Sequence, residues 1–209
     1  METRAKIISS PRNKRVKISA IPGHFATNHS HINYYVDLTS VKTSHKMAKE
    51  AAKDLAMNYA GTHIDTIICL EGTEVLGAFL AESLSNTGIN ADADISVVTP
   101  ELNCNNQLIF RDNTQSKIWQ KQVLLLISSV STGKSINRAI DCLRYYNGEL
   151  AAISAIFSAI DESNGVPVKA LFTKDDIVGY QTSIPGECDL CKSGKKVDAL
   201  VNSFGYSKL

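Results

Sequence analysis

The sequence predicts an α/β protein, a mainly parallel sheet flanked by helices, with a small N-terminal flap or hood. Three observations lead there. Apolar runs of strand length, among them DTIICL (65–70), VLLLIS (123–128) and LAAISAIF (150–157), alternate with stretches of helical periodicity. The first two run into loops of small or polar residues that open a helix. With 209 residues, 44% of them hydrophobic, the chain can bury one complete core.

Taken in order, residues 1–40 mix basic and β-branched residues with Pro11, Pro22 and Gly23, the composition of an extended or short-stranded flap packing on the core. From Thr43 the pattern changes. Met47, Ala48, Ala51, Ala52, Leu55 and Ala56 recur at helical spacing, with Thr43 or Ser44 as cap and Gly61 as stop. DTIICL is a buried strand, EGTEVLG the loop after it, and AFLAESLSN a second helix with Gly88 beyond. DISVVT (94–99) and QLIFRD (107–112) fill a less regular middle before VLLLIS, the clearest strand of the chain. Then follow STGKS, a helix through INRAIDCLRYYN, Gly148 as its C-cap, LAAISAIF, and VKALF (168–172) as a further strand. Residues 41–183 thus make the core. The tail, 184–209, carries a cysteine pair and a last short helix near VDALVNSF.

Composition narrows the partners. Charged residues make up 21% and the formal net charge is +1, so no global field draws the chain to nucleic acid or an anionic membrane. The cations Arg4, Lys6, Arg12, Lys14, Arg15 and Lys17 interleave with Ile7, Ile8, Val16 and Ile18, the pattern of an amphipathic edge strand whose lysines deter aggregation. No apolar stretch reaches membrane-spanning length and the N-terminus lacks a secretory apolar segment, so a cytoplasmic protein is expected. Five cysteines, an odd number, suit reduced thiols.

The chemistry concentrates in SSVSTGKS (128–135), where a buried strand ends in hydroxyl residues and Gly133 and a helix opens at Ser135. Backbone N–H groups there converge on one concavity, the helix dipole favours an anion, and Thr132, Lys134 and Ser135 can add donors. GKS also matches the end of a nucleotide-binding P-loop, but Ser128 stands where that loop needs its first glycine.

VLLLISSVSTGKSINRAIDCLRYYNGELAAISAIF resembles the phosphoribosyl-diphosphate motif of type I phosphoribosyltransferases. HSHINYYVDLTSV resembles the entry of the orotate members, IDTIICLEGTEVLGAFLAESL their diphosphate loop and helix, and AIDESNGVPVKALFTKDDIV their late strands. The likeness covers about residues 20–180. It implies that Ser131, Thr132, Gly133, Lys134 and Ser135 hold a ribose 5-phosphate, Ser128 and Ser129 face the ribose, and Glu71, Gly72, Thr73 and Glu74 meet the diphosphate. It also puts Tyr34, Tyr35 and Asp37 on the base side, and implies Mg2+ as cofactor and a homodimer. The activity implied is transfer of phosphoribose from its diphosphate to a nitrogenous base. The alternative is a sensor of phosphoribosyl diphosphate or a nucleotide that binds without turnover.

Three departures mark the chain. The family's acidic pair falls at Ser128 and Ser129, hydroxyls without charge. The stretch TPELNCNNQLIFRDNTQS, in the place of a mobile loop with lysine and histidine, has Arg111 as its only cation. The flap lysine expected near an anionic base is Ser30, next to His31.

Cys188 and Cys191 have the spacing of half a zinc site, which two further ligands would have to close. His24, His29 and His31 could supply them if the flap meets the tail. The alternative is two free thiols in a surface turn.

Overall fold

In the computed structural model, which describes residues 2–105 and 107–209, the strand with the most continuous apolar run takes the centre of the sheet. The chain opens with β1 (Lys6–Ser9), β2 (Lys17–Ala26), β3 (His31–Asp37), α1 (Thr39–Thr43) and α2 (His45–Ala56). β4 (Thr66–Cys69), α3 (Glu74–Ser85) and β5 (Ser96–Val98) follow, then the short hairpin of β6 (Glu101–Leu102) and β7 (Leu108–Ile109) and the single turn α4 (Asp112–Gln115). β8 (Gln122–Val130), α5 (Lys134–Tyr145), β9 (Glu149–Ser158), β10 (Glu162–Ser163) and β11 (Val166–Thr173) complete the core. β12 (Thr182–Ser183), α6 (Asp189–Lys192), β13 (Ala199–Asn202) and β14 (Gly205–Lys208) form the tail.

The core sheet runs β10-β11-β9-β8-β4-β5, and every pair from β11 to β5 is parallel. Both faces are covered: Leu124 and Leu126 of β8 belong to the cluster under α2 and α3, while Val123, Leu125 and Ile127 pack with Ile136, Ile140 and Leu143 of α5. Alternate side chains of one strand therefore feed two cores, which is why the run carries no polar interruption before Ser128. α2 begins where expected, with Ser44 Oγ accepting from the Met47 N–H at 3.4 Å, and buries Ala48, Ala51, Ala52 and Leu55. It ends at Ala56 in a 3-10 turn (Met57–Tyr59) rather than continuing to Gly61. Among the described residues no helix is long and apolar enough to cross a membrane.

The expected tail helix is absent. VDALVNSF instead enters a hairpin in which Ala199 and Val201 are buried and Leu200 and Asn202 exposed, a period of two that only a strand satisfies. β13 then pairs in parallel with β2, so the hood is a second sheet, β12-β3-β2-β13-β14 with β1 on β2, built from both ends of the chain. β1 lies off the main path of that sheet, in keeping with its edge-strand composition.

Candidate active site

From β4 the chain passes to β5 on one side and later returns to β8 on the other, so the direction of winding reverses between β4 and β8. Loops at the carboxyl ends of two such strands diverge and leave a crevice between them. Here they are Leu70–Thr73 and Ser131–Gly133, and a cleft of about 630 Å³ opens between them and the hood.

Gly133 caps α5 with φ of +78°, and a Cβ there would lie 3.2 Å from Ile160 Cδ1. Only glycine adopts this backbone without strain. The first intrahelical bond is Asn137 N–H to Gly133 O at 2.9 Å, so the amides of Lys134, Ser135 and Ile136 have no partner within the helix. Ser129, Ser131, Ser135 and Arg138 line the cleft on this side. Ser135 and Arg138 are three apart on α5 and share one face.

Across the cleft, Glu71 and Gly72 both take left-handed backbone, φ +61° and +79°. For glutamate that conformation is strained. It turns the side chain across the crevice, where Oε2 accepts from Ser128 Oγ at 2.7 Å. Burial pushes the Glu71 carboxyl above its ordinary range; the Ser128 hydroxyl, the Ser129 amide, the Lys42 ammonium and the Ser135 hydroxyl oppose the rise. A carboxylate thus stands at the end of β8, where the two serines bring none, delivered from the neighbouring strand's loop. Lys42, at the end of α1, donates to Glu71 O at 3.1 Å and Ser203 O at 2.6 Å, tying this loop to the tail hairpin. Its burial lowers the ammonium pKa against the opposing pull of Glu71, Glu74 and Asp37.

The residues singled out from sequence divide accordingly. Ser129, Ser131, Ser135, Glu71, Gly72, Glu74 and Tyr35 line the cleft. Thr132 and Lys134 are exposed and Gly133 is buried, and none of the three belongs to the lining. Thr73 departs from expectation: it is fully buried, with its hydroxyl within reach of Leu70 O and Leu126 O, so it anchors the loop. Ser128 is also buried, its hydroxyl committed to Glu71. Tyr34 packs on the main core, whereas Tyr35 faces the cleft with its hydroxyl pushed up to about 12 by burial, Asp37 and Tyr206. Asp37 accepts from the Thr39 N–H at 3.0 Å and does not line the cleft. Sequence reasoning missed Arg138, although its spacing from Ser135 was a usable signal. It also missed Thr27 to His29, Tyr180 and Asn202 to Phe204, which reach the cleft from the hood.

In the 99–116 stretch, Thr99, Pro100, Leu102 and Leu108 border the cleft, but Arg111 makes an exposed pair with Glu101 at 2.7 Å. Ser30 is fully buried and bonded to Thr27. Cys188 and Cys191 meet His24 and His31, but not His29, which instead lies at the cleft.

No protein-family model matches the chain. Orotate phosphoribosyltransferase of Caldicellulosiruptor bescii is 25% identical over 187 residues, 83% of this chain and 86% of that protein. The crystal structure of Mycobacterium tuberculosis orotate phosphoribosyltransferase with Fe(III) dicitrate superposes with a TM-score of 0.54 at 15% identity, covering 77% of this chain and 93% of that one. The same enzyme in complex with 5-phospho-alpha-D-ribosyl 1-diphosphate gives 0.51 at 14% identity, covering 68% and 82%.

Proposed function

On a chain with the type I phosphoribosyltransferase fold, whose curated relatives are orotate phosphoribosyltransferases, we propose that the cleft binds 5-phosphoribosyl 1-diphosphate or a nucleoside monophosphate and transfers phosphoribose to a nitrogenous base. The observation that carries this is the pairing of two loops at the switch point: an α5 N-terminus opening beside Ser131 and Ser135, and the Glu71–Gly72 turn facing it.

In this proposal the α5 amides and the Ser135 hydroxyl hold the 5-phosphate, aided by the Arg138 charge. The ribose lies over Ser129 and Glu71. A ring nitrogen of the base donates its lone pair to ribose C1, the C1–O bond to diphosphate breaks, and diphosphate leaves with the bonding pair. Any proton on that nitrogen passes to solvent. Positive charge develops on the sugar ring, and the Glu71 carboxylate stands where it would stabilise it, in the role the missing acidic pair would otherwise fill.

Glu71 and Glu74 both line the cleft, and in this proposal their carboxylates face the diphosphate as hard oxygen donors suited to Mg2+. A diphosphate beside them would be repelled without such a cation, which when bound neutralises the leaving group's charge. On the hood side the lining groups are amides, hydroxyls, aromatic rings, His29 and the aliphatic Ile32, Val36 and Val201, and Lys42 is already engaged with two carbonyls. This favours a neutral base over an anionic one such as orotate.

The test is diphosphate release with Mg2+ and each of orotate, uracil, adenine and hypoxanthine, with nucleotide formation followed by chromatography. Product with at least one base supports the proposal, and a neutral base is expected to exceed orotate. No product with any base at high enzyme concentration refutes transfer. Saturable calorimetric binding in that case would leave a sensor on the same cleft.

A further inference from the structure

We propose that His24, His31, Cys188 and Cys191 form a structural Zn2+ site that staples the tail to the hood. The two halves are far apart in sequence: His24 lies on β2 and His31 opens β3, while Cys188 and Cys191 bracket the first turn of α6. The fold nonetheless brings one ligand atom from each within 4.8 Å of all the others.

The spacing is that of a coordination shell. Zn–N bonds of about 2.05 Å and Zn–S bonds of about 2.3 Å at tetrahedral angles require edges of about 3.35 Å for N···N and about 3.55 Å for N···S. Here His24 Nε2 lies 3.0 Å from His31 Nδ1 and 3.6 Å from each sulfur, and Cys191 Sγ lies 3.2 Å from His31 Nδ1. These four of the shell's six edges match within about 0.4 Å by that geometry, and the two from Cys188 to Cys191 and His31 are within 4.8 Å.

The surroundings agree. His24 Nδ1 is 2.8 Å from the Lys195 carbonyl, which makes Nδ1 the protonated nitrogen and leaves Nε2, the atom aimed at the cluster, with its lone pair. A carbonyl fixing the far nitrogen of a ligand histidine is a usual outer-shell arrangement. The cysteines are not disulfide-bonded. Two thiolates and two imidazoles in a four-coordinate shell select Zn2+ over oxygen-seeking cations, and four protein ligands leave no position for a substrate, so the role is structural. That role has a purpose here, because β13 pairs with β2 through only two residue pairs, Ala199 with Phe25 and Leu200 with Ala26.

The experiment is zinc determination by mass spectrometry on the full chain, purified without chelator and dialysed, beside Cys191→Ser, His31→Gln and a control, Cys104→Ser. Cys191 and Cys104 are both exposed, so neither change empties a core position. About one zinc per wild-type and Cys104→Ser chain is expected, with loss of roughly nine-tenths of it in the two ligand variants. Co2+ exchanged into the wild-type protein is expected to show thiolate-to-metal charge-transfer absorption that the Cys191→Ser protein lacks. Zinc-free wild-type protein that also takes up no added Zn2+ or Co2+ overturns the proposal, as does equal zinc in wild type and the ligand variants. Neither readout involves the cleft, so transferase activity and metal binding stand or fall separately.

Discussion

Replacing Glu71 by glutamine tests whether the half-buried carboxylate serves the fold or the ligand. Glutamine keeps an amide oxygen for the Ser128 hydroxyl, now at 2.7 Å from Oε2, and for the Ser129 amide. Exchanging a charged for a neutral hydrogen bond loses about 1 kcal/mol per bond. Against this, the ion's desolvation penalty of several kcal/mol disappears. The direction of the carboxyl's shift decides the balance: its pKa is raised despite four opposing groups, so burial outweighs the bonds. Glu71→Gln is therefore expected to stabilise the protein at neutral pH by about 1 kcal/mol, a rise of about 2–4 °C in Tm for a chain of this size. Transfer should meanwhile fall by about 10²–10³-fold, the usual loss when one charge-stabilising group is removed.

The pH dependence separates this from a packing effect. A carboxyl with a raised folded pKa binds its proton more tightly in the native state. Its contribution is fully favourable below the ordinary glutamate value of 4.5 and is lost as pH rises through the raised value. The stability advantage of Glu71→Gln over wild type should accordingly shrink between neutral pH and about pH 4.5. Calorimetric Tm across that range, with diphosphate release at neutral pH, checks both parts. A variant destabilised by more than about 2 kcal/mol that transfers at the wild-type rate would show that the carboxylate is structural.

Three further outcomes follow from the same geometry. Gly133→Ala forces a left-handed alanine against Ile160; denaturation should show a loss of about 1–2 kcal/mol, and calorimetry a weaker affinity for ribose 5-phosphate. Lys42→Met leaves the Glu71 and Ser203 carbonyls without their donor, and a loss of about 1–3 kcal/mol is expected by denaturant unfolding. Ser128→Asp sets a second carboxylate against Glu71 in a buried site, so it should lower Tm, whereas Ser128→Asp with Glu71→Gln should recover transfer and gain more in Tm than Glu71→Gln gains alone; strictly additive changes in that cycle would disprove the contact.

What was legible in the sequence is what local pattern dictates. β8 and its loop were readable because five consecutive apolar residues ending in Ser-Ser and Ser-Thr-Gly have few alternatives, and the left-handed Gly133 could be anticipated from its residue type. The tail was misread because VDALVNSF is short and its apolar residues fit a helical spacing as well as an alternating one; the arbiter was β2, more than 170 positions away. Glu71 is the opposite case. Its residue type and its place after β4 can be read from residue order, but its reach to Ser128 depends on a positive φ that glutamate rarely adopts, and nothing in residue order announces it. Ser128 and Thr73 likewise have the residue type of ligand-facing hydroxyls, and only their burial and their hydrogen-bond partners in the fold show both turned into the protein.

The hairpin of β2 and β3 connects the two sites. His24 and His31 stand near its tip, and the residues between them include Thr27, Asn28 and His29, which line the cleft. A metal bound at the histidines would fix both sides of this short connection and, through Cys188 and Cys191, the approach of the tail whose Asn202–Phe204 turn forms the adjoining wall. Binding to a cleft whose wall must first be ordered is weakened by the fraction of chains in which it is not. If zinc is bound as proposed, removing it with a chelator should therefore weaken binding of a nucleoside monophosphate, which in the proposed binding mode reaches the hood, more than binding of ribose 5-phosphate, which in that mode rests on α5 alone. Calorimetric Kd values for both ligands, before and after chelation and again after zinc is restored, give the ratio. An equal change for the two ligands would mean that the metal acts on the stability of the whole chain, because only a local effect distinguishes the base end of the cleft from the phosphate end.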